Sequence, residues 1–193
     1  ATTDLVVAGP NLMGFANLNR QVHTNFASVF NTAPMQTGQG SVSLLTQSGN
    51  VCAAVYAIAR RLGVEFSHFI NTGNEACVDF AQYLDYMAQD AGTEVCMGYI
   101  EELRDGPRFI AAAEAFARRD KLLILYKAGE TDKGSEAVRS HTSALAGDQA
   151  IYQAAFRQLN IIQSNDFVQM AQLAHLAGYR HKSAGKRVAI ITI

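Results

Sequence analysis

The feature that most constrains this chain is an alternation, repeated along its middle, of short apolar runs with longer amphipathic ones. Val42-Ser43-Leu44-Leu45-Thr46 reads as a strand, and Val51 to Leu62, rich in Ala, Ile and Val and closed by Gly63, as a helix. The unit recurs as His68-Phe69-Ile70 followed by Val78 to Gln89, and as Val95 to Tyr99 followed by Arg108 to Arg119, with a further strand at Lys121 to Tyr126. Strands separated by helices of about 10–15 residues cannot pair through tight hairpins. They imply a parallel sheet with right-handed crossovers and helices on both faces.

The expected fold class is therefore α/β, a doubly wound, flavodoxin-like parallel sheet. Leu5-Val6-Val7-Ala8 reads as a short strand entering the turn Gly9-Pro10-Asn11, and Gly14 to Gly40, with little periodicity, as mostly loop. Helices are expected from Asp148 to about Leu159 and from Asp166 to Gly178, and an apolar strand at Val188 to Ile193. An unpaired apolar strand at a chain end is an aggregation hazard, so the chain is expected to be a piece of something larger.

With 193 residues, 49% of them hydrophobic and 17% charged, the chain can bury the core of one ordinary domain. A formal net charge of -1 supplies no counterion-release attraction to phosphate backbones, so nucleic acid is not an expected partner. Cys52, Cys77 and Cys96 sit in apolar surroundings without Cys-x-x-Cys spacing, as buried free thiols of a reducing compartment would. No basic leader opens the sequence and no run of 18 apolar residues occurs, which points to the cytoplasm and away from membranes.

In an open parallel sheet ligands bind at the carboxyl ends of strands, so the strand-to-helix turns are the places to search. Thr46-Gln47-Ser48-Gly49-Asn50 would offer backbone N–H groups and a helix dipole to an anion, although Ser48 taken alone is better read as a helix N-cap. Thr72-Gly73-Asn74-Glu75 offers amides and the Asn74 side chain, or simply a glycine-permitted turn. Glu101, beyond the strand ending at Tyr99, makes a structural salt bridge or orients an imidazole. Ser140-His141-Thr142-Ser143 sets a histidine among hydroxyls in a polar loop; a histidine nucleophile can take up a phosphoryl group, but a lone loop histidine is more often only solvated. His23, His68, His175 and His181 lack metal-ligand spacing, Gly38-Gln39-Gly40 precedes its strand instead of following it, and no metal residue is assigned. Ser48 at its turn, followed by acids and then His141, also has the chain order of a serine hydrolase, without the Gly-x-Ser-x-Gly elbow.

Together, Gly9-Pro10-Asn11-Leu12-Met13-Gly14, Thr46-Gln47-Ser48-Gly49, Thr72-Gly73-Asn74-Glu75, Tyr99-Ile100-Glu101, Lys127-Ala128-Gly129 and Ser140 to Gly147 resemble, in order, the NDP-forming acyl-CoA synthetases, with the succinyl-CoA synthetase α subunit more distant. The resemblance implies the end of a CoA-binding Rossmann domain plus linker over residues 1–35, a succinyl-CoA-synthetase-like flavodoxin domain over 36–162, and the start of a second such domain over 163–193. It implies an acid–thiol ligase working through an acyl phosphate and a phosphohistidine. His141 would carry the phosphoryl group, Glu101 would orient it, and Gln47, Ser48 and Gly49 would receive the phosphoryl group at the helix start. Asn11, Gly73 and Asn74 would meet CoA or a small carboxylic acid. ATP or ADP with Mg2+ would be held by a separate ATP-grasp domain or subunit, in an oligomer. The family turn Gly-Pro-Asn-Cys has Leu12 in its last place here, and Ser143 replaces a glycine after Ser-His-Thr. A CoA-binding regulatory domain without turnover is the alternative that these departures suggest.

Overall fold

The computed structural model describes residues 5–129, 149–178, 185, 187 and 189–192. In chain order its elements are β1 (Gly14–Asn17), β2 (Val22–Asn25), α1 (Val29–Thr32), β3 (Val42–Thr46), α2 (Gly49–Arg61), β4 (Phe66–Asn71), α3 (Phe80–Gln89), β5 (Val95–Ile100), α4 (Gly106–Arg118), β6 (Leu122–Lys127), α5 (Gln149–Gln158), β7 (Ile162–Gln163) and α6 (Phe167–Gly178). The seven strands form one sheet in the order β2-β1-β4-β3-β5-β6-β7. From β4 to β7 neighbours are parallel. Numbered among themselves in chain order, these five run 2-1-3-4-5, the flavodoxin-like arrangement expected from the alternating pattern.

Both faces of the parallel strands are covered, which explains why β5 and β6 are apolar almost throughout. Side chains alternate between two cores. Leu45, Ile70, Ile100 and Leu125 pack with α3, α4 and α5, while Leu44, Phe69, Met97 and Ile124 pack with α1, α2 and α6. Phe66, Phe69, Phe80, Phe116 and Phe156 are among the largest fully buried side chains, and burying each contributes about 1.5–3 kcal/mol before entropy is counted.

Helix starts follow cap chemistry. Asp79 and Gln82 exchange hydrogen bonds in a capping box that begins α3 at Phe80, later than its apolar pattern suggests. Asp105 accepts from the Arg108 N–H and Pro107 occupies the first turn, so α4 begins at Gly106, earlier than its apolar residues indicate.

Three segments differ from the sequence expectation. The stretch expected to be mostly loop contains the β1–β2 hairpin, which adds an antiparallel edge through Phe15 opposite Ile70 and Asn17 opposite His68. Four-residue strands, one of them nearly all exposed, leave too short an alternation to recognise from sequence. Conversely, neither residues 5–8 nor the described residues 189–192 are in strands. Cys52 and Cys96 are buried as expected, but Cys77 is exposed, because it lies in the turn before α3.

Candidate functional site

The strand order reverses between β3 and β5, with β4 on one side of β3 and β5 on the other, and in such sheets the crevice beyond that point is where ligands bind. A cleft of about 580 Å³ lies there, lined by residues that include Asn11, Gln47, Ser48, Gly49, Gly73, Asn74 and Glu101. Seven residues singled out from three turns and an upstream segment are thus brought together. His141 lies outside the described residues.

Thr46 ends β3, and Ser48, in extended conformation, caps α2 by accepting from the Val51 N–H at 3.5 Å. The Gly49 and Asn50 N–H groups belong to the first turn, where a helix supplies no acceptor, and both residues line the cleft. A partial positive charge from the helix dipole adds to theirs. The Gln47 side chain, by contrast, is committed within the protein. Its Nε2 donates to Glu75 Oε1 at 3.0 Å and to the Glu102 carbonyl at 2.7 Å, while its Oε1 accepts the N–H groups of Glu101 and Glu102 at 2.5 and 3.0 Å.

The segment Gly9 to Met13 is docked onto the turn after β4. Asn74 N–H donates to the Pro10 carbonyl and Ala76 N–H to the Gly9 carbonyl, both at 2.8 Å. Asn11 Nδ2 donates to Asn74 Oδ1 at 3.1 Å. Gly73 has φ +64°, and a Cβ there would fall 2.3 Å from the Pro10 oxygen, so only glycine permits this approach. Leu12, Met13 and the exposed Phe26 give the cleft an apolar side beside this polar floor.

Glu101 follows β5. Its carbonyl accepts from Lys127 Nζ at 2.9 Å, and Lys127, almost wholly buried, also donates to the Ala128 carbonyl at 2.6 Å and lies over the Tyr152 ring. Burial pushes the Tyr99 hydroxyl above its ordinary range, and the negative charge of Glu101 pushes it further. Sequence reasoning passed over three other residues. Asn71 ties the ends of β3 and β4 by donating to the Thr46 and Gln47 carbonyls, both at 3.1 Å, and by accepting the Met13 N–H at 2.6 Å. Arg104 donates to the carbonyls of Asn74 and Glu75, both at 3.1 Å. Glu75, buried with φ +54°, accepts from Thr72 Oγ1 at 2.6 Å as well as from Gln47. A polar residue ending an apolar strand was the available signal for Asn71, and Glu75 closes the Thr72-to-Glu75 turn already singled out, though without a role; nothing local marks Arg104.

His68, given no role above, sits elsewhere, in a buried polar cluster where Asn17 Nδ2 donates to its Nε2 at 2.9 Å and Ser43, Ser67 and Asp90 face its Nδ1. Among the described residues, no three His, Cys, Asp or Glu side chains gather as metal ligands would, and no helix is long and apolar enough to cross a membrane.

Fold and cleft together define a doubly wound α/β domain with the start of α2 facing its strand switch point. Residues 39–177 match the family described as the succinyl-CoA ligase like flavodoxin domain, and the chain belongs to that family. It is 34% identical over 186 residues to an ADP-forming acetate–CoA ligase of Methanocaldococcus jannaschii, covering 96% of this chain and 25% of the relative. It is also 34% identical to the α subunit of ADP-forming acetate–CoA ligase II of Pyrococcus furiosus, covering 96% of this chain and 39% of that subunit. Among solved structures, a dinucleotide forming acetyl-coenzyme A synthetase 1 of Ca. Korarchaeum cryptofilum in complex with phosphate and ADP superposes with a TM-score of 0.74. The identity to it is 31%, over 84% of this chain and 34% of that one. The chain thus spans between a quarter and two fifths of the length of these relatives.

Proposed function

We propose that this chain is the acyl-phosphate and phosphohistidine station of an NDP-forming acyl-CoA synthetase. The observation that carries the reading is the convergence of Asn11, Gln47, Ser48, Gly49, Gly73, Asn74 and Glu101 on one cleft at the sheet's switch point. In the proposed sequence, phosphate displaces CoA from the acyl carbon to give an acyl phosphate. His141 then takes the phosphoryl group, releasing the carboxylate, and passes it to a nucleoside diphosphate; the reverse direction makes the thioester. A neutral imidazole is required for attack, and Glu101 on its other nitrogen would fix the tautomer and stabilise the cation that forms. The Gly49 and Asn50 N–H groups suit the charge on the phosphoryl oxygens, which they meet already oriented. The Gln47 side chain is occupied by protein partners, so its part in receiving phosphate is to hold the turn.

CoA and a small carboxylic acid would approach past Asn11, Gly73 and Asn74. Nucleotide and Mg2+ would be held by an ATP-grasp module outside this chain, with residues 1–35 closing a CoA-binding domain, 36–162 forming the central one and 163–193 opening another. The α-subunit name of the Pyrococcus relative supports a division of this kind. The proposed setting is an oligomeric enzyme of the cytoplasm.

Incubating the full-length protein with Mg2+ and γ-labelled ATP should yield an acid-labile, alkali-stable label that disappears in His141→Ala. Fluorophosphonate labelling of Ser48 would favour a hydrolase instead. Absence of phosphohistidine with every nucleotide, while CoA still binds, would favour a regulatory domain, the reading to which Leu12 in the cleft lends support.

A further inference from the structure

Gln47 joins three turns through one amide, and its orientation is forced from both ends. Two backbone N–H donors, from Glu101 and Glu102, face one atom; a carboxylate oxygen of Glu75 and the Glu102 carbonyl face the other. Turning the amide over would set its NH2 against two donors and its oxygen against two acceptors, so the oxygen must point to Glu101. Glu75 is fixed in turn. It is 4% exposed, has a left-handed φ of +54°, and its carboxylate accepts from Thr72 Oγ1 and from Gln47. A non-glycine residue held in that conformation costs free energy locally, and such residues persist where the surrounding bonds over-determine them. Burial pushes the Glu75 carboxyl above the usual carboxylate range, and these donors pull it back. Arg104 adds a second tie, from beyond Glu101 back to the Asn74 and Glu75 carbonyls.

We propose that Glu75 and Gln47 are positioning residues for Glu101: a buried carboxyl group holds one end of an amide whose other end holds the backbone of the carboxylate proposed to orient His141. This rests on the phosphohistidine reading above. It makes the turn that carries Asn74 and the turn that carries Glu101 one mechanical unit. Mutual placement of reacting groups is sensitive, since about 1 Å of displacement costs about 10²-fold in rate.

The test uses the full-length protein with Gln47→Glu, Glu75→Gln and the double exchange, measuring the rate of His141 phosphorylation under saturating Mg2+ and ATP. Hydrogen exchange at the Glu101 and Glu102 amides reports the turn, and exchange at the β3 and β5 amides reports the fold. Gln47→Glu sets a carboxylate against the Glu75 carboxylate and the Glu102 carbonyl, whereas the amide oxygen of Glu75→Gln can still accept from both Thr72 and Gln47. Gln47→Glu should label about 10²-fold more slowly and exchange faster at Glu101 and Glu102, with the sheet amides still protected, while Glu75→Gln stays near the wild-type rate. In the double exchange the new amide at 75 can donate to the carboxylate at 47 and remove one of its two clashes, so it should label faster than Gln47→Glu alone. A merely structural role would not give that rescue. Thr72→Val, which withdraws one donor from Glu75 and keeps its charge, is the milder variant should a charge change prevent folding, and it should slow labelling in the same direction. Wild-type rates in Thr72→Val and in folded Gln47→Glu, or no rescue in the double exchange, overturn the relay and leave the phosphohistidine reading intact. No label in the wild-type protein overturns that reading and the relay's role with it.

Discussion

Replacing Gly73 by alanine tests how the cleft is assembled, and Gly63 provides its internal control. Both glycines have positive φ, +64° and +83°, so an alanine at either carries the left-handed penalty of about 1–2 kcal/mol. Gly63 follows α2 in a Schellman motif, with Gly63 N–H on the Arg60 carbonyl and Val64 N–H on the Ala59 carbonyl, and a Cβ there meets nothing within 4 Å. At Gly73 the Cβ falls 2.3 Å from the Pro10 oxygen and 2.6 Å from the Asn11 oxygen, both backbone atoms that no rotamer change can remove. The Gly9 to Met13 segment must move away, losing the bonds from the Asn74 and Ala76 N–H groups, each worth about 1 kcal/mol. Gly73→Ala should therefore cost about 3–4 kcal/mol and Gly63→Ala about 1–2. In urea unfolding, with a slope of about 2 kcal/mol/M, the two midpoints should lie about 1 M apart. Hydrogen exchange should also show the Asn74 and Ala76 amides deprotected only in Gly73→Ala. Equal midpoints and equal protection would refute the docking argument.

Other perturbations read other parts of the molecule. Arg60 is buried, donates to the Pro34, Met35 and Val64 carbonyls and pairs with Glu65 at 2.9 Å, so Arg60→Met should cost about 3–5 kcal/mol by denaturant unfolding, because it strands a carboxylate and three acceptors. Burial pushes the Cys52 and Cys96 thiols up to about 12, so a disulfide reagent should titrate one thiol, Cys77, in the native chain and three in denaturant. Burial lowers the His68 pKa below its ordinary 6.5, with Asp90 partly opposing. The unfolded chain then binds a proton that the folded ring resists, so His68 adds full stability above about pH 6.5 and its contribution falls as pH drops below that. His68→Gln should flatten the slope of stability between pH 7 and 5.

The parallel core was legible in the sequence because strands buried on both faces are rich in apolar residues, and the helices between have to carry one apolar stripe. That pattern determined the layer architecture, the strand alternation and the place to look for a site. The helix starts were less legible, because Asp79 and Asp105 act through hydrogen bonds that apolar periodicity does not report. The β1–β2 hairpin was hidden for a different reason. Its strands are stabilised by pairing with β4, more than 50 positions away in the register Phe15–Ile70, and not by any local alternation.

The site divides in the same way. The turns carrying Gln47 to Gly49, Gly73 and Asn74, and Glu101 were identifiable one by one, since a polar, glycine-bearing turn after an apolar strand is a local signal. Only the tertiary structure decided what each side chain does. The Gln47 amide, a phosphate ligand by resemblance, is consumed by Glu75, Glu101 and Glu102, while Glu75, Asn71 and Arg104 hold the turns in place. Hydrogen bonds between residues 24 to 58 positions apart leave no periodic trace in a sequence; they exist once the sheet has brought its strand ends together.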